Sequence, residues 1–370
     1  MKIQVLQENV KGVIERLARI APQKSTLPVL QNIKIETRTG DIYFSATDLE
    51  IGATIRVSGK VQDEGAITLP ASLLKEFISN LKNGVITIET DDTYRAHVSS
   101  GKSEATIAGI EVDEFPMLPA IDGDALVGID GNNFKLAIDR VVFAAKSEKD
   151  ALSQPILAGV HMRVSDTVVT LEAADGYRMS QYFIDLFEPS EYGDFIIPAK
   201  TLRMIGLMIN PDDVVEVVLE NNGNRLAFRF GATQIVTRII EGSYPEIARL
   251  VPTQCVARLI VETGEMNRNV KLSNPFDDES QAVYLDFDGT DTLTISTRKI
   301  ERGNFNGTIE GLFEGEKSRV ALNSRFLGEA LQYSKAERVS LEMNGEKGAF
   351  VIRETGNDAW LNLITPMTVR

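Results

Sequence analysis

The chain carries one pattern three times, and this threefold internal repeat constrains its fold more than any other feature of the sequence. LPASLLKEFISNLK (69–82), IPAKTLRMIGLMIN (197–210) and LNSRFLGEALQYSK (322–335) each pass from an apolar strand end through Pro or Asn into apolar positions at helical spacing. Their starts lie 128 and then 125 residues apart. Pro70 and Pro198 suit a first helical turn, where a missing N–H costs no hydrogen bond. Other landmarks keep the register. ENVKGVIERLARI (8–20) returns as NNFKLAIDRVVFA (132–144), TLPVLQNIKIET (26–37) as QPILAGVHMRVS (154–165), and FSATDLEIG (44–52) as LEAADGYRM (171–179). ESQAVYLDFDG (279–289) is a third, fainter copy of the second of these. EFPMLP (114–119) and SYPEIARLVP (243–252) close the first two repeats with an aromatic–Pro pair. The third copy of the first helix, GEMNRNVKLSN (264–274), has the weakest pattern.

Between the helices lie alternating runs such as KIQVL, DIYFSA, VITIET, TVVTLEAA, RLAFRF and RVSLEM, separated by turn residues, as in ENNGNR (220–225) and DFDGTD (286–291). Such runs predict hairpins rather than crossovers. The expected fold class is α+β: three similar domains, each with two helices packed on antiparallel sheet. The expected boundaries are 1–122, 123–252 and 253–370. A length of 370 residues agrees with two or three cores.

Composition narrows the setting. Hydrophobic residues at 43% and charged residues at 25% are ordinary for a soluble globular chain. No run approaches 18 apolar residues, and MKIQVLQENV lacks the apolar stretch of a signal peptide, so no membrane partner is expected. The single cysteine, Cys255, forbids an internal disulfide, and the expected location is cytoplasmic.

A net charge of −14 argues at first against a nucleic-acid partner. The distribution argues otherwise. The six helical windows 8–20, 70–82, 132–144, 198–210, 264–274 and 322–335 hold 13 basic and 6 acidic residues, a net of +7 that leaves −21 for the remainder. Helices that share one face would make that face cationic over about a Debye length, roughly 8 Å at physiological salt. Contacts of this kind are directed at the phosphate backbone and indifferent to sequence.

Several motifs dissolve on inspection. SSGKS (99–103) would be a phosphate loop only with glycine at 96, where Ala96 stands, and it joins two strand-like runs. DFDGTD has a calcium-loop composition with its glycine two places early and no closing Glu, so it predicts a hairpin turn. Asp48 and Asp175 recur at one repeat position, as turn caps do. His97 and His161 each sit in an alternating strand pattern, and Cys255 has no His or Cys neighbour in sequence. No catalytic residue, metal site or cofactor is expected. A repeat scaffold that binds only proteins is the alternative, and the cationic helices weigh against it.

In order and spacing, STLPVLQN (25–32), TDLEIG (47–52), LPASLLKEFI (69–78), EFPMLP (114–119), QPILAGV (154–160), ADGYRMS (174–180), IPAKTL (197–202), SYPEIARLVP (243–252), LNSRFL (322–327) and LITPMTVR (363–370) resemble the bacterial DNA polymerase III beta subunits, the sliding-clamp family. The resemblance implies a non-enzymatic processivity factor. In it, a head-to-tail homodimer closes a ring around duplex DNA, helices line the hole, and a clamp loader complex opens the ring. It also implies a groove for short Leu- and Phe-rich peptides of the DNA polymerase III alpha subunit and other clamp-motif partners. By motif, that groove takes Leu157, Ala174, Gly176, Tyr177, Arg178, Met179, Pro245, Arg249, Leu250, Ala349, Leu363, Ile364, Thr365, Pro366 and Met367. Tyr177 and Thr365 stand where family members often have His and Met. Carry-over places Lys24, Lys146 and Lys149 toward DNA with the helix cations Lys82, Lys200 and Arg203. Pro155 and Ile156 stand where some members have paired aromatics. The implied dimer seam joins Glu104, Ala105, Thr106 and Ile107 to Lys271 and Leu272.

Overall fold

A computed structural model describes residues 1–119, 123–220, 223–277, 279–301, 303–345 and 348–368. The expected boundary residue Asp122, the ENNGNR tip residues Asn221 and Asn222, and the terminal Val369 and Arg370 lie outside the described residues.

The first repeat runs β1 (Lys2–Leu6), α1 (Gln7–Leu17), β2 (Asn32–Arg38), β3 (Asp41–Thr47), β4 (Ile51–Val57), β5 (Gly59–Asp63), β6 (Ala66–Pro70), α2 (Ala71–Asn80), β7 (Val85–Thr90), β8 (Arg95–Ser100) and β9 (Ser103–Ala108). The second runs β10 (Val127–Asp130), α3 (Gly131–Val141), β11 (Gly159–Ala174), β12 (Arg178–Pro198), α4 (Ala199–Met208), β13 (Val214–Leu219), β14 (Arg225–Phe230) and β15 (Thr233–Arg238). The third runs β16 (Ala257–Glu262), α5 (Thr263–Ser273), β17 (Ala282–Phe287), β18 (Thr292–Thr297), β19 (Asn306–Gly315), β20 (Ser318–Asn323), α6 (Ser324–Tyr333), β21 (Arg338–Met343), β22 (Phe350–Glu354) and β23 (Asn357–Ile364). All six helical windows therefore hold a helix, and every named strand pair is antiparallel.

Local chemistry explains the elements. Val10, Val13, Ile14 and Leu17 bury one stripe of α1, and α1 packs on α2. Pro70 sits at the N-cap of α2, one place before the helix proper. Asn323 caps α6 by accepting from the N–H groups of Arg325 and Phe326 at 3.1 and 3.2 Å. The β2–β3 hairpin closes through Thr39 and Gly40, both at positive φ, so its two-residue turn follows the right-handed strand twist. At Asp288 the carboxylate accepts from the Thr290 N–H at 2.8 Å and hydroxyl at 2.6 Å, which makes DFDGTD a turn. Gly101 and Lys102 join β8 to β9, so SSGKS is a hairpin tip.

β11 and β12 span 16 and 21 residues, but β11 turns back on itself: His161 and Glu172, eleven residues apart on it, meet at 2.9 Å, where an extended strand would hold them about 36 Å apart. In the first repeat the stretch matching β11 is divided into β2 and β3 by the Thr39–Gly40 turn. The same turn falls at Asp166, where φ is +50° against +48° at Thr39, and His161 and Glu172 occupy the places of the paired Lys34 and Ser45.

The described chain divides into two compact units: Met1–Phe134 with Arg203–Ile239, and Lys135–Leu202 with Ile240–Arg370. Within the first, β15 of the second repeat pairs with β4 of the first, completing an eight-stranded sheet β10-β13-β14-β15-β4-β3-β2-β6. A five-stranded sheet β5-β1-β7-β8-β9 completes that unit. Within the second, β23 of the third repeat pairs with β12 of the second, inside a ten-stranded sheet. Both joints bury apolar cores, with Phe44 and Phe228 fully enclosed in one unit and Phe350 and Trp360 in the other. Among the described residues no helix is long and apolar enough to cross a membrane.

Candidate functional site

The joint between β12 and β23 is where the predicted groove residues meet. Antiparallel pairing sets Met179 opposite Leu363 and Arg178 opposite Ile364. Ala174, Met179, Val351, Leu361 and Leu363 form one buried apolar cluster, with Ile247, Val251 and Ala349 packed partly exposed against it. Above this floor two apolar side chains stay in solvent: Tyr177 is 66% exposed and Leu250 61%. Pro366 and Met367 are half-buried, and Pro245 and Arg249 are exposed. An apolar floor flanked by exposed apolar side chains is a surface that apolar peptide side chains can cover.

The backbone around it is tied down. The Thr365 N–H donates to the Tyr177 carbonyl at 2.8 Å, and the Met367 N–H donates to the Ala321 carbonyl at 2.8 Å. Asp175 caps the Gly176 turn, its carboxylate accepting from the N–H groups of Tyr177 at 2.9 Å and Arg178 at 3.1 Å. Asp48 does the same for Glu50 and Ile51 at 3.1 and 2.9 Å, as the repeat predicts. Arg178 is a brace. Its guanidinium donates to Asp175 at 3.0 Å, to the Phe143 carbonyl at 2.9 Å and to Glu329, and lies over the Phe326 ring at 4.5 Å. Arg249 pairs with Glu246 at 2.5 Å. Leu157 is buried in the 3₁₀ turn before β11 and is not part of the cluster.

Ile247, Val251, Val351 and Leu361 join the site without having been singled out from sequence. A signal existed: Val351 and Leu361 are at apolar positions of alternating strands, and Ile247 lies in the YPEIARL stretch already singled out.

Twelve of the 13 basic residues of the helical windows are exposed or half-exposed; Arg140 is not. At 3% exposure it donates to Glu354 at 2.8 Å and lies over the rings of Tyr182 and Trp360, so it belongs to the core. Lys24, Lys82, Lys149, Lys200 and Arg203 are exposed, while Lys146 is half-buried and donates to Gln154 at 3.3 Å. Lys271 and Leu272 are exposed on α5, where Lys271 lines an open cavity of about 470 Å³ shared with Asn267, Asp277, Ser324 and Arg325. Glu104 and Thr106 are exposed on β9, Ala105 is half-buried and Ile107 is buried. Among the described residues β9 pairs only with β8, and the Asn306–Glu310 half of β19 pairs only with β18. Also among the described residues, no cluster of three His, Cys, Asp or Glu side chains is arranged to hold a metal ion.

The sequence matches the N-terminal, central and C-terminal domains of the DNA polymerase III beta subunit over residues 1–119, 128–246 and 248–368. The chain belongs to this family. The beta sliding clamp of Chlamydia pneumoniae is 26% identical over 370 residues, covering 99% of both chains. That of Staphylococcus aureus strain Mu50 is 24% identical over 363 residues, 95% of both. A DNA polymerase sliding clamp from Bacillus subtilis has the same fold, with a TM-score of 0.92 at 22% identity over 100% of both chains. The beta subunit from DNA polymerase of Streptococcus pyogenes, 25% identical, gives 0.91 over 100% of both chains. The clamp-fold family thus has three domains of mixed helices and antiparallel sheet, as the repeat predicts.

Proposed function

We propose that two copies of the chain close head to tail around duplex DNA and act as a sliding clamp that tethers the replicative polymerase. One observation carries the closure. Each joint between repeats lays the last strand of one repeat on the β4-type strand of its neighbour: β15 on β4, then β23 on β12. Applied once more, the rule leaves β9 and the Asn306–Glu310 half of β19, the two strand edges without such a partner among the described residues. A second copy supplies both, giving two identical seams and a closed ring. Glu104 to Ile107 then form one side of each seam, and α5, which packs on β19 and carries Lys271 and Leu272, flanks the other.

In this reading the domains are 1–122, 123–252 and 253–370. The helix cations, with Lys24, Lys146 and Lys149, face the DNA backbone. Contacts of this kind are individually weak and independent of sequence, so the protein moves along the duplex while its topology keeps it on. The Tyr177–Met179, Pro245–Leu250 and Leu363–Met367 groove takes Leu- and Phe-containing peptides of the polymerase alpha subunit, the clamp loader and other cytoplasmic DNA-processing proteins. The chain itself performs no chemistry. A sliding clamp from Pseudomonas aeruginosa has been solved bound to griselimycin, a ligand-bound relative that agrees with a docking surface on this fold.

The decisive experiment loads the protein on nicked circular DNA and then cuts the circle. Retention on the circle and loss after linearisation are expected, and neutralising Lys24, Lys149 or Arg203 lowers loading without creating sequence preference. Equal retention on linear and circular DNA refutes topological binding.

A further inference from the structure

We infer that His161, as an imidazolium, is the positioning residue that clamps the segment carrying Pro245, Ile247 and Leu250, so that peptide affinity falls when it loses its proton. The inference rests on the groove reading above and adds a residue outside the groove that controls it.

The first support is the count of donors. His161 is buried on β11, its Nδ1 2.9 Å from Glu172 Oε1 and its Nε2 2.8 Å from Asp194 Oδ1. A neutral imidazole has one N–H, so one of these contacts would oppose two lone pairs; only the doubly protonated ring satisfies both. Glu172 also accepts from Gln181 at 3.0 Å, and Asp194 from the Tyr192 hydroxyl at 3.1 Å. The second support is what the ring holds. Tyr244 stacks on it, centroids 5.0 Å apart at 24°, and the Tyr244 hydroxyl accepts from the Ala174 N–H at 3.0 Å. Ala174 belongs to the groove floor, and Tyr244 directly precedes Pro245. Most of the 241–256 segment is exposed, so Tyr244, with Ile247 and Val251, holds it to the body.

The third support comes from the repeat. Asn32 lies opposite Pro70 and Gly159 opposite Pro198, so Lys34 and His161, each two residues on, occupy the same position. Phe115 and Tyr244 are the aromatic residues of the two closing segments. In the first repeat the Lys34 ammonium lies over the Phe115 ring at 5.6 Å and pairs with Glu36 at 2.9 Å. The same cation-on-aromatic clamp therefore occurs twice, once with a permanent charge and once with a titratable one.

The charged and titratable groups around the clamp are Glu172 on β11, Asp194 and Tyr192 on β12 with Arg163 beside Tyr192, and Tyr244, itself near Asp175. Burial alone would lower the His161 pKa, but hydrogen bonds and charge from Glu172 and Asp194 outweigh it and raise the value above 6.5. Burial pushes the Tyr244 phenol up, so it stays neutral. With a raised folded value, the clamp is complete below the ordinary histidine pKa and is lost as pH rises through the raised one.

The test measures fluorescence polarisation of a labelled Leu- and Phe-containing peptide from about pH 6 to about pH 9, across the histidine range. Wild-type affinity should fall roughly two- to fivefold across the transition, the size of one cation–aromatic contact. His161→Gln should bind at the weaker level throughout. His161→Lys, which supplies the cation of the first repeat, should bind at the tighter level with no slope. With only two histidines in the chain, ring NMR resolves His161 from His97, and its midpoint should match that of the affinity change. A wild-type slope retained in His161→Gln, or an NMR midpoint at or below the ordinary value, overturns the inference. That decision stands on the wild-type titration even if the variant does not fold. Absence of binding at every pH removes the groove reading itself, a different failure.

Discussion

Cysteines placed at Ala105 and Phe305 test the register of the proposed seam, which the two visible joints specify residue by residue. Ile235 lies opposite Ala53 in one joint, and Asn362 opposite Ser180 in the other. Ile235 is reached from Val217 through Phe228, and Asn362 from Leu341 through Ile352. The matching path in the first repeat runs from Ile88 through Val98 to Ala105. On the receiving side Ala53 faces Ala46 and Ser180 faces Ala173, and in the third repeat the matching inward residue Thr297 donates its N–H to the Phe305 carbonyl at 3.1 Å. Ala105 should therefore lie opposite the Phe305 of a second copy, just before the Asn306–Glu310 edge. The pair type follows too. The Arg56 N–H bonds the Ala232 carbonyl at 2.9 Å and the Arg238 N–H bonds the Glu50 carbonyl at 3.2 Å, which makes Ala53–Ile235 a non-hydrogen-bonded pair. Such pairs have Cα atoms about 4.5 Å apart, inside the range a disulfide spans. A slip of two residues adds about 7 Å along the strand and opens the separation to about 8 Å, beyond that range. In a Cys255→Ser background, oxidised Ala105→Cys/Phe305→Cys protein should give a non-reducing band at twice the 40.7 kDa chain mass. Cross-linking by Ser103→Cys/Phe305→Cys in its place refutes the register. A ladder of longer species refutes closure at two chains, because head-to-tail contacts that do not close make filaments.

Ending the chain after Ile364 removes Pro366, Met367 and two backbone bonds but spares Ile364, which is fully buried in β23. Sedimentation should still give a dimer, while peptide affinity falls about tenfold or more for each apolar pocket lost, and unchanged affinity refutes the C-terminal wall. Arg140→Met breaks the buried ion pair with Glu354, which keeps the Ser334, Lys335, Ala336 and Asn357 donors. The loss in urea unfolding should be about 3 kcal/mol, the low end for breaking a buried pair, and a loss under about 1 kcal/mol would mean the ring contacts hold Arg140 without the carboxylate.

Much of the fold was legible because the same elements recur in register, so a weak copy borrows strength from strong ones. The first helix of the third repeat shows why one copy is weak. Its buried face holds Thr263, Asn269 and Ser273 beside Met266 and Val270. Each polar side chain is satisfied close by: Thr263 donates to the Ala336 carbonyl, Asn269 to that of Glu265 and Ser273 to that of Val270. A hydrophobic period cannot register a face made this way. Charge counting failed at Arg140 for a related reason: its partner Glu354 is distant in sequence, and only the folded joint brings them together.

The repeat also supports placing the proposed peptide groove at one joint and not at the other. Leu49 and Gly176 hold the same left-handed turn position, at φ of 77° and 98°, and the next residue is Glu50 in one repeat and Tyr177 in the other. Two residues further on, Gly52 matches Met179. A Cβ on Gly52 would lie 2.6 Å from Leu118 Cδ2, so the closing segment of the first repeat already fills that joint. At the second joint Met179 rises from the strand as part of the floor, the closing segment packs on it only through half-exposed Ile247 and Val251, and Tyr177 stands in solvent where the first repeat has a carboxylate. An apolar peptide side chain approaching the first joint meets a charge and a filled site. At the second it covers exposed apolar surface without displacing a buried group, which is the condition for net stabilisation of about 25 cal/mol per Å² covered.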